Sequence, residues 1–105
     1  MTVIALLSVA PVKEGSMAAD VARAVDALES FDVRYRTTGM GTIIEADEID
    51  EVFAAAAAAH KAVDADRIST FLKIDDKRGD GSADAKVESV EAELGRPATS
   101  ADQRE

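Results

Sequence analysis

A carboxylate set directly after a strongly apolar pair is the first chemistry this sequence offers. Glu45 follows Ile43 and Ile44, and Asp47 opens a polar stretch two residues later. A carboxylate in a partly apolar wall makes charge-assisted hydrogen bonds to an amine or a cation. A strand-end glutamate can equally stay in solvent, or pair with Arg34 or Arg36 on a neighbouring strand. Both readings stand.

Thr42 lies three residues before Glu45, so a regular strand aims the two side chains to opposite sides. They share one site only if the strand is bulged or sharply twisted. Thr42 is otherwise a residue that satisfies backbone groups of the turn. That turn is Gly39-Met40-Gly41, where both glycines supply the positive φ of a tight reversal. It is not a phosphate loop, because the lysine and following helix of that motif are missing. Met40 at the tip either covers a flat ring or packs on another subunit.

Ser8 interrupts an apolar run and offers a hydroxyl to a ligand or to nearby backbone. Tyr35 and Phe71 have rings that could stack on a heterocycle, or pack in a core or interface. His60, the single histidine, has Ala56 and Asp64 at four-residue spacing, which does not make a zinc site. It reads as a helix-surface residue. Arg78 is a solvated turn charge or an anion contact. With no cysteine and no nucleophile–base pair, the sequence assigns no catalytic residue and no metal ligand, and an enzyme is not expected.

Around these residues the composition sets limits. A chain of 105 residues is one small domain. A net charge of −9 argues against nucleic acid and against anionic membranes. Such a surface suits a high-salt cytoplasm, where screening relieves self-repulsion, or equally an ordinary acidic mesophile protein. The apolar N-terminal run has no preceding positive charge and is too short to span a bilayer, so it is expected to be a buried strand of a cytoplasmic protein. The absence of cysteine excludes disulfides.

The elements follow in order. Val3–Ala10 is apolar on both parities, as in a strand covered on both faces, and Pro11 ends its pairing. Ser16 caps a helix whose stripe is Met17, Val21, Ala24, Val25 and Leu28, with Asp20, Arg23, Asp26 and Glu29 on the other side. The run 33–37 and the segment after Gly41 form a hairpin. Asp47 caps a second helix that buries Ile49, Val52, Phe53, Ala56, Ala59 or His60, and Val63, the six alanines of 54–59 adding helix propensity. Residues 67–75 form a fourth strand with Ile68, Leu72 and Ile74 on one face and Phe71 on the other. A charged turn over 76–81 leads to Ser82, the cap of a third helix carrying Val87, Val90 and Leu94, which Gly95 and Pro97 stop.

The order β-α-β-β-α-β predicts an α+β, ferredoxin-like sandwich: a four-stranded antiparallel sheet, two helices on one face, and an extra C-terminal helix. The domain spans 1–95, and 96–105 is expected to be a polar, disordered tail. The open sheet face keeps apolar residues, so identical chains are expected to pack through it.

Three segments resemble one family. Met40-Gly41-Thr42-Ile43-Ile44-Glu45 resembles the M-G-T-x-x-E-G signature of the thiamine-binding, MTH1187/YkoF-like proteins. Leu72-Lys73-Ile74-Asp75-Asp76-Lys77-Arg78 is similar to that family's I-K-I-D-x-R strand end, and Val87-Glu88-Ser89-Val90-Glu91 to its K-V-x-S-V-E helix. The likeness runs from the first strand to about Leu94, with Ala46 standing where the signature has glycine. It implies a ferredoxin-like fold, dimers or tetramers, and binding of thiamine or its hydroxymethylpyrimidine moiety, without catalysis or a cofactor. On this reading the protein is a homo-oligomeric carrier or sensor. Glu45 recognises the exocyclic amine, and Thr42, Met40, Ser8 and Gly41 are further ligand contacts. The alternative is a ligand-free assembly or regulatory module using the open sheet face.

Overall fold

The computed structural model describes residues 2–78 and 82–103. Its elements are β1 (Thr2–Pro11), α1 (Ala18–Ala27) with a 3-10 turn over Leu28–Ser30, β2 (Arg34–Thr38), β3 (Gly41–Ala46), α2 (Ile49–Lys61), β4 (Ile68–Lys77) and α3 (Ala83–Leu94). The four strands run in the order β2-β3-β1-β4, every neighbour antiparallel. This is the ferredoxin-like arrangement. No helix among the described residues is long and apolar enough to cross a membrane.

Alternation along β1 divides the sheet into two faces. Val3, Ala5, Leu7 and Val9 are buried beneath α1 and α2, while Ile4, Leu6, Ser8 and Ala10 are half-buried on the open face. Pro11 still pairs with Ile68, and Val12 N–H donates to the Arg67 carbonyl, so the ladder runs past the proline. Pairing with β3 stops at Leu7, so the N–H that Pro11 lacks has no strand to serve on that side.

The core is small and alanine-rich. Leu28, Ile44, Val3 and Val52 are its largest fully buried side chains, each contributing about 1.5–3 kcal/mol of transfer free energy. Helix α2 buries Val52, Ala55, Ala56 and Ala59, a run at i, i+3, i+4 and i+7, and Val63, just past its C-terminus, is buried as well. Phe53, expected in that stripe, lies beside it and is 53% exposed, and Ile49 is also exposed. Small side chains let α2 approach the sheet closely, and a phenylalanine does not fit that gap.

Asp20, placed by periodicity on the polar side of α1, is buried at 3% exposure. Lys13 reaches it at 2.7 Å and Arg23 at 2.5 Å, pinning the β1–α1 loop to the first turn of the helix. Ser16 accepts the Ala18 N–H at 3.2 Å, one position ahead of the helix cap. Asp47 does not cap α2. Glu48 holds that position without a side-chain bond, and Asp47 lies 3.8 Å from Arg34.

Ser82 caps α3 by accepting the Ala85 N–H at 3.0 Å, and Gly95, at φ 75°, closes it. Strand β4 reaches Lys77, so the expected turn over 76–81 starts later, and its residues 79–81 lie outside the described ones. Beyond α3, Ala101–Gln103 forms a short 3-10 turn.

Candidate functional site

The β2–β3 hairpin turns on two residues, Gly39 and Met40, between the paired Thr38 and Gly41. Only Gly41 takes a positive φ, 149°, and a Cβ there would meet the Leu7 carbonyl oxygen at 3.0 Å. Gly39 has ordinary φ and open space around it. The turn's polar work falls to Thr38, which donates to the Gly41 carbonyl at 2.8 Å and accepts the Met40 N–H at 3.2 Å. That frees Thr42 for another partner.

Thr42 faces the helices, 5% exposed. Directly opposite on β2 is Thr37, and the two hydroxyls lie 3.0 Å apart. They sit in a cavity of about 180 Å³ between the hairpin, β1 and α1. Leu7, Val9, Met17, Val21, Val25 and Leu28 supply its apolar wall, and Met40, Gly41 and Ser8 border it. Strand parity sends the Ser8 hydroxyl to the other face, where Ser8 pairs with Phe71. Met40, at the tip, is 85% exposed. None of the residues lining this cavity is ionisable.

Glu45 is elsewhere. The ladder through β3 is regular, so Glu45 emerges on the open face, away from Thr42. Its carboxylate accepts the Ala83 N–H at the start of α3 at 2.5 Å, and Arg34 stands 3.8 Å away. A carboxylate at a helix N-terminus satisfies an orphan N–H and complements the helix dipole. Glu45 also lines a second cavity of about 250 Å³ with Arg34, Tyr35, Arg36, Ile43, Ala83 and Asp84. Of the five sequence-selected ligand residues, four gather at the first cavity and Glu45 at the second.

The other candidates are dispersed. Tyr35 donates its hydroxyl to Glu29, and that bond holds the phenol above its ordinary range. Phe71 is 57% exposed on the open face. His60 bonds Thr70 through Nδ1 at 2.5 Å, linking α2 to β4. No group of three His, Cys, Asp or Glu among the described residues is placed to hold a metal ion. Arg78 is exposed, 3.9 Å from Asp76.

Thr37 and Met17 were not selected from sequence. Thr37 could have been, because a two-residue turn fixes the register that sets it against Thr42. Met17 was visible only as part of a helical stripe.

Comparison with known proteins gives the family and the fold. Residues 5–91 match the family model described as thiamine-binding protein. A UPF0045 protein of Methanothermobacter thermautotrophicus is 47% identical over 83 residues, covering 75% of this chain and 84% of that one. The UPF0045 protein MJ1052 of Methanocaldococcus jannaschii is 35% identical over 79 residues, covering 72% and 78%. The crystal structure of that MJ1052 protein superposes with a TM-score of 0.77 at 31% identity, covering 85% of this chain and 95% of that one. A Thermotoga maritima protein provisionally named for thiamine biosynthesis or salvage shares the fold, with a TM-score of 0.74 at 22% identity over 86% of this chain and 99% of that one. The match over most of the chain and the close archaeal relatives agree: this chain belongs to the thiamine-binding protein family.

Proposed function

We propose that the protein is a non-enzymatic binding protein for thiamine or a related hydroxymethylpyrimidine, a carrier or sensor, and that the ligand sits in the cavity at the hairpin. The observation that carries this is the cavity's lining: a pair of threonine hydroxyls set in an uncharged, apolar pocket beside the residues Met40-Gly41-Thr42. Two hydroxyls 3.0 Å apart offer donors and acceptors to a neutral heteroaromatic ring, and apolar walls with a few fixed polar groups suit a small flat ligand. The family's description and the naming of its Thermotoga maritima fold relative support a thiamine-related ligand. Binding without turnover fits the lining, which offers no acid–base pair.

Thermal unfolding with thiamine and with hydroxymethylpyrimidine tests the reading. Ligand at 100 times its dissociation constant should stabilise the wild type by about 2.7 kcal/mol. Thr42→Val should remove that gain while the fold persists. No stabilisation by either compound at millimolar concentration would leave the assembly module as the better description.

A further inference from the structure

Sulfur is scarce in this chain and is gathered at one place. There is no cysteine, and beyond Met1 the methionines are Met17 and Met40 alone. Both line the cavity at the hairpin, Met17 from the N-cap position of α1 and Met40 from the tip of the β2–β3 turn. The rest of that lining is aliphatic, hydroxyl-bearing or glycine, so the two thioethers are its only groups that a peroxide readily oxidises.

The lining is graded in depth. Leu7, Leu28 and Thr42 are buried and form the floor, whereas Met17 is 41% exposed and Met40 85%, at the rim. The backbone at each methionine is held. The Met17 carbonyl accepts the Val21 N–H at 2.9 Å, and the Met40 N–H donates to Thr38 Oγ1 at 3.2 Å. Beyond those anchors the side chains are flexible and end in a polarisable sulfur that packs well against an aromatic ring. A ring seated on the threonine pair meets one thioether from the helix side and one from the hairpin side.

Hydrogen peroxide reaches both sulfurs from solvent. The thioether attacks one peroxide oxygen, an S–O bond forms and the O–O bond breaks. The proton on the transferred oxygen passes to the departing hydroxide, so sulfur is oxidised to the sulfoxide and peroxide is reduced to water. The consequences differ between the two sites. Met40 already lies in water, and its new oxygen stays there at little cost. Met17 belongs to the apolar wall with Val21 and Val25. Its sulfoxide oxygen either turns inward, where it accepts from the threonine hydroxyls that a ligand needs, or turns out to water and uncovers the wall.

We infer that Met17 is a peroxide-responsive modification site that regulates the cavity: the thioether form holds a flat ring, and the sulfoxide form releases it. Met40 is the faster-reacting and nearly silent partner at the rim. Because methionine sulfoxide is reduced enzymatically back to the thioether, the change is reversible. The inference rests on the cavity proposed above as the ligand's seat, but not on which ring fills it.

The test treats the full chain with hydrogen peroxide and stops the reaction at intervals. Peptide mass mapping gives the extent of oxidation at each methionine, and the same samples are titrated with thiamine, with hydroxymethylpyrimidine and with fluorobenzene, an apolar ring that needs no polar recognition. Met40 should oxidise ahead of Met17. Affinity should fall about tenfold in step with Met17, with circular dichroism unchanged, and methionine sulfoxide reductases should restore it. Complete oxidation of Met17 without loss of affinity overturns the inference, as does a loss that tracks Met1 or Met40, or a Met17 that resists peroxide. In a second arm Met17→Leu is compared only with itself before and after peroxide. That ratio should stay near one, and a fall like the wild type's overturns the inference. Uptake of fluorobenzene alone, lost on oxidation, removes the thiamine reading and keeps the switch. Uptake of all three, unaffected by oxidation, does the reverse, and uptake of none removes both.

Discussion

Thr42 and Glu45 stand three residues apart on β3 and leave it on opposite faces, Thr42 against Thr37 and Glu45 against the first N–H of α3. One signature thereby serves two places in the molecule. The threonine furnishes the cavity, and the glutamate fastens a helix 38 residues away in sequence.

Glu45→Gln separates these roles. An amide can still accept the Ala83 N–H but loses the charge, and charge-assisted bonds are roughly twice as strong as neutral ones. Amide exchange at Ala83 and along α3 should accelerate, while ligand-induced stabilisation is retained. Loss of ligand stabilisation with unchanged exchange in α3 would return Glu45 to the binding site.

Gly41→Ala and Gly39→Ala form a matched pair. At Gly41 the backbone is at φ 149° and the new methyl would press on the Leu7 carbonyl, which should cost about 1–3 kcal/mol. At Gly39 there is open space, and the change should stay within about 0.5 kcal/mol. Urea unfolding of both variants measures the difference.

Ile44→Ala and Phe53→Ala test where the core lies. Ile44 is fully buried, and its truncation should cost about 2–5 kcal/mol. Phe53 is mostly exposed, and its truncation should cost within about 0.5 kcal/mol despite the larger side chain removed. A large loss at Phe53 would show that α2 is rotated relative to the arrangement described.

The Asp20 carboxyl sits below its ordinary range, chiefly through its hydrogen bond from Lys13 and then through the charges of Lys13 and Arg23, against an opposing effect of burial. A depressed carboxyl contributes stability that is complete above its unfolded-state value and is lost as pH falls through the folded one. Asp20→Asn should therefore lower the melting temperature at neutral pH. The gap to wild type should narrow on acidification below about 3.9, the free aspartate value. A gap independent of pH would assign the effect to packing alone.

Much of the fold was legible because it is written in short-range periodicity. The apolar run of β1, the glycine hairpin and the Ser82 and Gly95 ends of α3 are local signals, and each corresponds to an observed element, although only one face of β1 is buried and the other is half-buried. Phe53 and Asp20 were misplaced for a shared reason: a helical wheel gives angles but not the depth of the partner surface. Alanines at 55, 56 and 59 draw α2 in too close for a ring, and Lys13, a loop residue, makes burial of Asp20 tolerable. The strand alternation that separates Thr42 from Glu45 was readable in advance. The contact from Glu45 to Ala83 was not, because nothing near either residue encodes the other.

The alanine flank of α2 has a bearing on a cavity it does not line. Helices α1 and α2 pack side by side over the sheet, and α1 carries Val21, Val25 and Leu28 into the pocket wall. Ala55, Ala56 and Ala59 thus act as a shim whose thickness sets how far the helical layer stands off the strands. Adding one methylene there would lift the roof of a chamber on the far side of the neighbouring helix, so the room granted to a guest is fixed partly by side chains that never meet it.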